Sequence, residues 1–351
     1  MKILICAHTG VGNLILKFPF INAVKHVFHN PEIIYLGKKK YGIKQVIEIV
    51  DSSNKIIEYD DDKNIIYKIK FWSNLRKEHI DYVFLPFDSV GSKIAVWIML
   101  IGAKKIFAHV FMHERLKIFL YSSLRKVSMV PILPSRHEID LNYDLLQSSM
   151  DRKVRRIRKL ELVLKFDLHC IKKYNLEINN YIVIQIGAAN GNESAKVWRI
   201  ENFIKLIEHL NANYSAHKIV LVGDIGDWVK CKNIIEQSKI TIINTIGKTS
   251  LIDLFMLINN AKLIVCHDSA VMHIASILNK NTIALYGPTD FLRTHPVSKR
   301  CKVLLSKTEA FGKMWNFKSS EQKLAKQYPH SMDGIKVDKV IHSVEKLITS
   351  S

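Results

Sequence analysis

A lysine that follows a glycine-containing turn is the first candidate for chemistry in this 351-residue sequence. Gly187 and Ala188 come directly after an apolar run typical of a buried strand, and Lys196 stands just before a helical pattern. A lysine at the end of a parallel strand can neutralise the charge of a departing diphosphate. A surface lysine beside Trp198, a packing residue, is the simpler alternative.

A second candidate lies where Asp268 and Ser269 precede a helix predicted over Ala270 to Leu278. The first N–H groups of a helix have no partner within it and lie at the positive end of its dipole, so they could bind a phosphate. Asp268 could then accept hydrogen bonds from sugar hydroxyls, and His273 belongs to the same motif. Asp268 and Ser269 could also act only as helix caps, and capping does not prevent ligand binding.

Two more junctions between a strand and a helix carry small or acidic residues. Gly10 and Gly12 separate the first strand from a helix predicted over Asn13 to Phe28, and exposed N–H groups there could face an anion. The turn lacks the third glycine of a dinucleotide fingerprint and the Gly-Lys-Ser/Thr of a P-loop, so a tight turn without a ligand is an equal alternative. Asp227 follows another strand, at the end where ribose hydroxyls are usually held, and an ordinary Asp-Gly turn explains it equally well.

The elements that must position these residues alternate between short apolar strands and amphipathic helices. This alternation indicates βαβ units, and strands that are apolar on both faces suit parallel sheets covered by helices. The sequence therefore predicts an α/β fold of two Rossmann-like, doubly wound domains facing a central cleft. The predicted strands are 3–7, 33–36, 55–59, 82–86 and 105–108 in the first half, and 181–186, 218–222, 241–244, 263–266 and 282–286 in the second.

The predicted domain boundary falls in a stretch from Met129 to about Asn180, where periodicity weakens and the basic run Arg152 to Lys159 follows a proline-containing segment. We assign residues 1–165 to an N-terminal domain and 175–330 to a C-terminal domain. A C-terminal helix in 331–351 is expected to pack back on the first domain.

The composition is strongly basic, with 52 lysine and arginine residues against 32 aspartate and glutamate residues and a net charge of +20. This charge predicts an anionic membrane surface or a phosphorylated substrate as partner, and a simply solvated basic surface is the alternative. Nucleic acid is disfavoured because the basic residues carry no recognition motif. Five scattered cysteines argue against a disulfide framework or a zinc site, and the apolar runs are too short for a signal peptide or a bilayer span. We expect a cytoplasmic protein, peripherally associated with the inner membrane.

Several short motifs, in a fixed order, resemble glycosyltransferase family 9, the ADP-heptose-dependent heptosyltransferases. The family has a GxGD-like turn with a downstream proline, then KxW, GKTSL-like, DSGxxH-like and GPT segments. The resemblance covers about residues 1–296 and is most specific in the second half. The matching segments here are GVGN at 10–13 with Pro19, KVW at 196–198, GKTSL at 247–251, DSAVMH at 268–273 and GPT at 287–289.

The resemblance implies a GT-B fold in which the first domain binds the acceptor and the second binds a nucleotide-sugar donor. It implies that Lys196 contacts the donor phosphates, Asp227 the ribose and Asp268 the sugar, while the amides of Ser269 and Ala270 hold the diphosphate. Such enzymes invert the anomeric centre without an essential metal, so we expect no cofactor besides the ADP-sugar co-substrate. The residues assigned to the donor site are Gly187, Ala188, Lys196, Asp227, Asp268, Ser269, Ala270 and His273, and those assigned to the acceptor side are Gly10, Gly12 and Asn13.

The sequence departs from the family where its general base is expected. Asn13 replaces the acidic residue after the glycine turn, and an amide cannot take the proton of the acceptor hydroxyl. Asn13 could still orient that hydroxyl, while Asp88, which follows the strand at 82–86, or His8 could supply the base; Asp88 could equally start a helix. A second departure is Ala270, where the family usually has glycine and where a methyl group could crowd the diphosphate.

Together these observations predict an inverting, metal-independent glycosyltransferase with Asn13, Lys196 and Asp88 as catalytic candidates. The expected reaction moves a heptose or related sugar from an ADP-sugar to a phosphorylated glycolipid of the lipopolysaccharide core or lipid A. One alternative is the same fold acting on a protein or another glycan acceptor. Another is a catalytically impaired nucleotide-sugar-binding protein, because Asn13 replaces the expected acidic base.

Overall fold

The computed structural model describes residues 1–7, 10–39, 42–50, 55–60, 62–87, 97–123, 126–133, 135–157, 168–188, 195–315 and 321–349. The chain divides into two compact units, Met1–Leu160 and Glu161–Ser351. Each unit is built on its own six-stranded sheet.

The first unit alternates strands with helices as the sequence predicts. Strand β1 (Lys2–Ala7) is buried along nearly its whole length, because helices cover both faces of the sheet. The described elements are strands β1 (Lys2–Ala7), β2 (Glu32–Lys38), β3 (Lys55–Tyr59), β4 (Tyr82–Leu85), β5 (Lys105–Val110) and β6 (Val127–Pro131), helices α1 (Val11–Val27), α2 (Ile43–Val50), α3 (Ile65–Asn74), α4 (Arg115–Ser122) and α5 (Glu138–Gln147), and 3-10 turns at Leu75–Glu78 and Met99–Ile101. All strand pairs are parallel, in the order β3-β2-β1-β4-β5-β6.

The second unit repeats this plan. Its described elements are strands β7 (Tyr181–Gln185), β8 (Lys218–Val222), β9 (Ile242–Asn244), β10 (Leu263–His267), β11 (Thr282–Tyr286) and β12 (Cys301–Leu305), helices α6 (His169–Lys173), α7 (Ile200–Asn213), α8 (Trp228–Ser238), α9 (Leu251–Asn260), α10 (Ala270–Ile277), α11 (Phe291–Thr294), α12 (Glu321–Gln327) and α13 (Val337–Thr349), and 3-10 turns at Ile225–Asp227 and Lys313–Trp315. The parallel strands follow the order β12-β11-β10-β7-β8-β9.

Both sheets are doubly wound, and the predicted α/β fold class is therefore confirmed. The strand order reverses between β1 and β4 in the first unit and between β7 and β10 in the second. Ligands of open α/β sheets bind beyond the carboxyl ends of the strands at this switch point. Residues that follow β1, β4, β7 and β10 are therefore the ones that each sheet presents to a ligand.

The sequence interpretation missed one strand in each unit. Strands β6 and β12 are edge strands whose side chains are only partly buried, so they lack the two-faced apolar pattern of the central strands. It also missed α5, which lies in the stretch assigned to the domain junction and packs against α1. Buried polar residues in α5, including Glu138 and Asn142, interrupt its apolar pattern. The stretch that was interpreted as a junction from Met129 onward therefore begins inside the first unit.

The C-terminal helix α13 is part of the second unit. Its buried residues Val340, Val344 and Ile348 belong to the same core as Leu263 of β10, and the helix packs against α7. The sequence interpretation set residues 331–351 apart as a segment packing on the first domain. The buried apolar side chains of α13 lie in the core of the second unit, and a contact with the first domain stays a prediction.

Candidate active site

The switch point of the second sheet brings together the two loops that the sequence singled out. Strands β7 and β10 are hydrogen-bonded neighbours, with Val265 opposite Ile184. Gly187 and Asp268, two residues or fewer beyond those strands, therefore lie at the same sheet edge. Parallel strands bring their carboxyl ends together, so Gly187 and His267 form a hydrogen bond although they are 80 positions apart in sequence.

Lys196 and Asp268 form an ion pair at this edge, with Lys196 Nζ 3.5 Å from Asp268 Oδ2. The side chains are 16% and 6% exposed, so water screens the pair less than it would a surface pair. Burial tends to raise the pKa of Asp268, but the Lys196 ammonium and the hydroxyls of Thr289 and Tyr286 outweigh it, and the pKa is lowered overall. Asp268 is therefore an ionised acceptor at neutral pH. His273, also beside Asp268, has its pKa lowered to about 4 by burial and is neutral.

Helix α10 begins directly after this aspartate. Ser269 is the residue before the helix, and its carbonyl accepts a 3.3 Å bond from the His273 N–H. The Ser269 hydroxyl donates to Gln185 Oε1 at 2.7 Å, which ties the start of α10 to the end of β7. The side chain of Ser269 therefore does not cap α10; it connects the start of the helix to the end of β7. The amides of Ala270 and the next two residues lie in the first helical turn, where intrahelical acceptors are lacking.

His267, for which the sequence interpretation proposed no role, joins three parts of the site. Its ring is fully buried; Nε2 accepts the Trp198 N–H at 3.0 Å, and Nδ1 donates to the Gly187 carbonyl at 2.9 Å. These two bonds require the neutral Nδ1–H tautomer. Burial lowers the pKa of His267 to about 4, which keeps that form at neutral pH. His267 therefore fixes the backbone on both sides of the loop that carries Lys196.

We expect His267 to make the stability of the protein depend on pH between its folded pKa of about 4 and its ordinary value of 6.5. In that interval the unfolded chain binds more protons than the folded one, so acid favours unfolding. Between pH 7 and pH 5 the native protein should lose about 2 kcal/mol that a His267→Gln variant keeps, because glutamine can accept the Trp198 N–H without titrating. Urea unfolding at both pH values measures the difference, and parallel pH profiles for the two proteins would contradict it.

Residues near the C-terminal end of the unit hold the segment after Lys196 in place. The Trp198 indole, 1% exposed, donates from Nε1 to the Ile335 carbonyl at 2.9 Å. Arg199 makes a two-pronged contact with Asp333, at 2.8 Å from Nε and 2.7 Å from Nη2. The tryptophan of the KVW motif is therefore a structural anchor. The bonds of Trp198 and Arg199 fix the chain directly after Lys196.

Asp227 is built into the protein more deeply than the sequence interpretation assumed. It is 2% exposed, its Oδ2 accepts the Asp224 N–H at 3.3 Å, and its Oδ1 lies 3.5 Å from Lys230 Nζ. The carboxyl occupies the space where a side chain on Gly187 would stand, so this position must be glycine. Burial raises the pKa of Asp227. Contact with a ribose stays a prediction for this residue.

The GKTSL motif forms a turn and a helix start. Gly247 has φ +65° and donates its N–H to the Gly223 carbonyl at 3.2 Å, which links the ends of β8 and β9. Ser250 caps α9 in a reciprocal pair of bonds with Asp253. Ile225 lies against Gly247 and is 72% exposed, so its apolar side chain is accessible at this end of the sheet.

The first-unit turn is shorter than predicted. Helix α1 begins at Val11, so Gly10 is the residue before the helix and Gly12 and Asn13 belong to its first turn. Asn13 is half-buried, and its carbonyl accepts a 3.3 Å bond from Nζ of the buried Lys17. Asp88 and His8 lie outside the described residues, so their assignment as alternative bases stays a prediction.

Along the described ranges of the chain, no group of three His, Cys, Asp or Glu side chains is arranged to hold a metal ion. No helix in those same ranges combines the length and apolar character needed to cross a bilayer. All five cysteines are thiols, and four of them are buried.

Two solved structures of glycosyltransferases share this fold along the whole chain. A family 9 glycosyltransferase from Veillonella parvula aligns over 100% of this chain and 98% of its own, with a TM-score of 0.79 at 19% identity. The E. coli ADP-heptose LPS heptosyltransferase II aligns over 100% and 99%, with a TM-score of 0.74 at 20% identity. The predicted GT-B fold is therefore confirmed.

The chain belongs to glycosyltransferase family 9 (heptosyltransferase), whose sequence model matches residues 68–325. The resemblance predicted from the motifs is thus confirmed, and the protein is a glycosyltransferase. It is 27% identical to lipooligosaccharide heptosyltransferase 2 of Campylobacter jejuni over 358 aligned residues, which cover 99% of this chain and all of that protein. It is 33% identical to the Haemophilus ducreyi protein of the same name over 171 residues, about half of each chain.

Proposed function

We propose that this protein transfers a heptose from an ADP-sugar to a lipopolysaccharide core or lipid A acceptor, with inversion at the anomeric carbon and without a metal ion. The observation that carries the proposal is the Lys196–Asp268 pair at the switch point, beside the first turn of α10. The full-length similarity to a lipooligosaccharide heptosyltransferase supports the choice of sugar and acceptor.

The donor diphosphate is proposed to lie between the Lys196 ammonium and the first amides of α10. Both groups are held in place before the ligand arrives, Lys196 through the braced Trp198 and α10 through the bond from Ser269 to Gln185. Charge develops on the leaving diphosphate as its bond to the sugar breaks, so a fixed cation and helix dipole stabilise the transition state more than the ground state. The ionised Asp268 is left to accept a sugar hydroxyl.

The nucleoside is proposed to extend along the sheet edge toward β8 and β9. The exposed side chain of Ile225, beside Gly247, offers an apolar surface to an adenine ring. Asp227 stands in the turn after β8 and is proposed to bind the ribose once its bond to the Asp224 N–H opens.

The acceptor is proposed to bind at the first-unit turn. Its hydroxyl oxygen attacks the anomeric carbon, the bond to the diphosphate breaks, and ADP leaves with the bonding electrons. Asn13, in the first turn of α1, orients that hydroxyl, and its proton passes to solvent or to Asp88 or His8. The net charge of +20 supports a phosphorylated glycolipid as the acceptor and an anionic inner-membrane surface as the proposed site of the reaction.

Acceptor-dependent release of ADP tests this function. Purified protein, ADP-heptose and a heptose-deficient lipopolysaccharide should release ADP, while UDP- and GDP-sugars should not support the reaction. A Lys232→Ala variant is the matched control, since Lys232 is 62% exposed on α8 and forms a surface ion pair with its helical neighbour Glu236. ADP release that does not depend on acceptor would count against transfer.

A catalytically impaired nucleotide-sugar-binding protein is the second candidate, and Asn13 is the observation that favours it. In that case the protein binds ADP-heptose in calorimetry yet forms no product with any acceptor. The well-formed ion pair in the second unit would then serve binding alone.

A further inference from the structure

Two helices of the first unit present large apolar side chains to solvent. Helix α3 exposes Ile65, Ile66 and Ile69, which are 58%, 61% and 47% exposed. The segment around α4 exposes Met112, Leu116 and Phe119, which are 67%, 70% and 69% exposed. We call these six residues the α3–α4 face. Exposed apolar surface of this kind often marks an interaction site.

Both helices lie on the same face of the first sheet. Trp72 of α3 and Tyr121 of α4 are buried in one core, together with Leu4 of β1 and Val83 of β4. The opposite sides of the two helices therefore point away from the sheet on the same side of the unit. The six exposed residues are not required for that core, because Trp72 and Tyr121 already anchor their helices in it.

The α3–α4 face begins at the acceptor side of the sheet. Helix α3 follows β3 and α4 follows β5, and both strands run parallel to β1, so these helices begin at the sheet edge where Asn13 lies. The turn before α4 is fixed by Glu114, whose carboxylate accepts the Phe111 N–H at 3.1 Å while its own N–H bonds the Phe111 carbonyl at 2.9 Å. A partner bound where these helices begin therefore lies at the same sheet edge as the acceptor turn.

The charges around the α3–α4 face favour an anionic partner. The cations that border these residues outnumber the described carboxylates: they are Lys63, Lys68, Lys70 and Arg115, against Asp60, Asp62 and Glu114. A second copy of a chain with a net charge of +20 would be repelled. Apolar side chains among cations suit an anionic bilayer, where the apolar groups enter the acyl boundary and the cations meet the headgroups.

We infer that the α3–α4 face docks the protein on an anionic membrane surface, with Ile65, Ile66, Met112, Leu116 and Phe119 entering the lipid. The inference rests on the proposed function, in that the face would bring the Asn13 turn to an acceptor embedded in that surface. It names the residues that make contact, which the net charge alone does not.

Vesicle co-sedimentation tests the docking face. The native protein should bind vesicles of phosphatidylcholine mixed with phosphatidylglycerol, should bind pure phosphatidylcholine more weakly, and should lose binding as salt is raised. A Leu116→Ser/Phe119→Ser variant and an Ile65→Ser/Ile66→Ser variant should each bind the mixed vesicles at least about ten-fold more weakly. An Ile178→Ser/Leu292→Ser variant, altered at residues 52% and 54% exposed in the second unit, should bind like the native protein.

Binding of the two face variants that equals native binding would overturn the inference. A loss of binding in the Ile178→Ser/Leu292→Ser control as large as in the face variants would overturn it too. A dimer that dissociates in the Leu116→Ser/Phe119→Ser variant would assign the face to a second copy instead. ADP release with a deacylated, water-soluble acceptor separates this test from that of the proposed function. It should be unchanged in the face variants, and its absence in the native protein would contradict the transfer reaction while leaving the vesicle result standing.

Discussion

Replacing Lys196 with alanine should lower kcat for ADP release by about a hundred- to a thousand-fold. Lys196 is the cation paired with Asp268 at the switch point. Its loop is fixed at Trp198, which bonds His267 and the Ile335 carbonyl, and at Gly187, which also bonds His267. Its charge meets the leaving diphosphate most strongly in the transition state, so kcat should fall more than KM rises. The loss also leaves Asp268, 6% exposed, without its main counter-charge.

A Lys196→Arg variant separates charge from position. Arginine keeps the positive charge but presents it as a planar fork, so we expect partial activity, above that of alanine and below that of lysine. The Lys232→Ala control should behave like the native protein in the same assay. A Lys196→Ala enzyme with unchanged kcat would mean that the diphosphate is stabilised elsewhere.

Changing Asn13 to aspartate should raise kcat by about a hundred-fold, the lower end of what a general base supplies. Asn13 lies in the first turn of α1, where the helix dipole favours a negative charge, and Nζ of Lys17 is 3.3 Å from its carbonyl. An aspartate there would therefore be ionised at neutral pH and able to accept the proton of the acceptor hydroxyl. The same change adds an acidic residue to a helix start that has none and should stabilise the folded state by about 0.3–1 kcal/mol.

An Asn13→Ala variant is the matched control for this change. It removes the amide that orients the acceptor hydroxyl and should lower kcat only a few-fold, because no base is lost. Thermal unfolding of all three proteins reports the stability effect separately from the rate. If the aspartate variant gains stability but no activity, another group is the base, and Asp88 and His8 become the residues to replace.

The central strands and the motif residues of the second unit were predictable from the sequence. Strands such as β7 and β10 are buried on both faces, so their apolar runs stand out, and a parallel sheet necessarily brings their following loops to one edge. That reasoning is enough to bring Lys196 near Asp268. It cannot give the 3.5 Å separation, which depends on how Trp198 and Asp333 brace the intervening segment.

The role of His267 was missed because its partners are backbone groups. The Gly187 carbonyl and the Trp198 N–H leave no trace in residue types, and sequence patterns report side chains only. A usable signal was present, since a histidine at the end of an otherwise apolar strand must satisfy two ring nitrogens in a buried place. The α3–α4 face was not predicted, because residue types alone do not distinguish an exposed isoleucine or phenylalanine from a buried one.

The mass of the acceptor after incubation tests the transfer reaction most directly. Heptose-deficient lipopolysaccharide, ADP-heptose and the native protein should yield an acceptor heavier by one heptosyl residue, and the Lys196→Ala protein should yield almost none over the same time. An acceptor of unchanged mass, with native protein that still binds ADP-heptose and with no product from the Asn13→Asp variant either, would contradict heptosyl transfer to this acceptor.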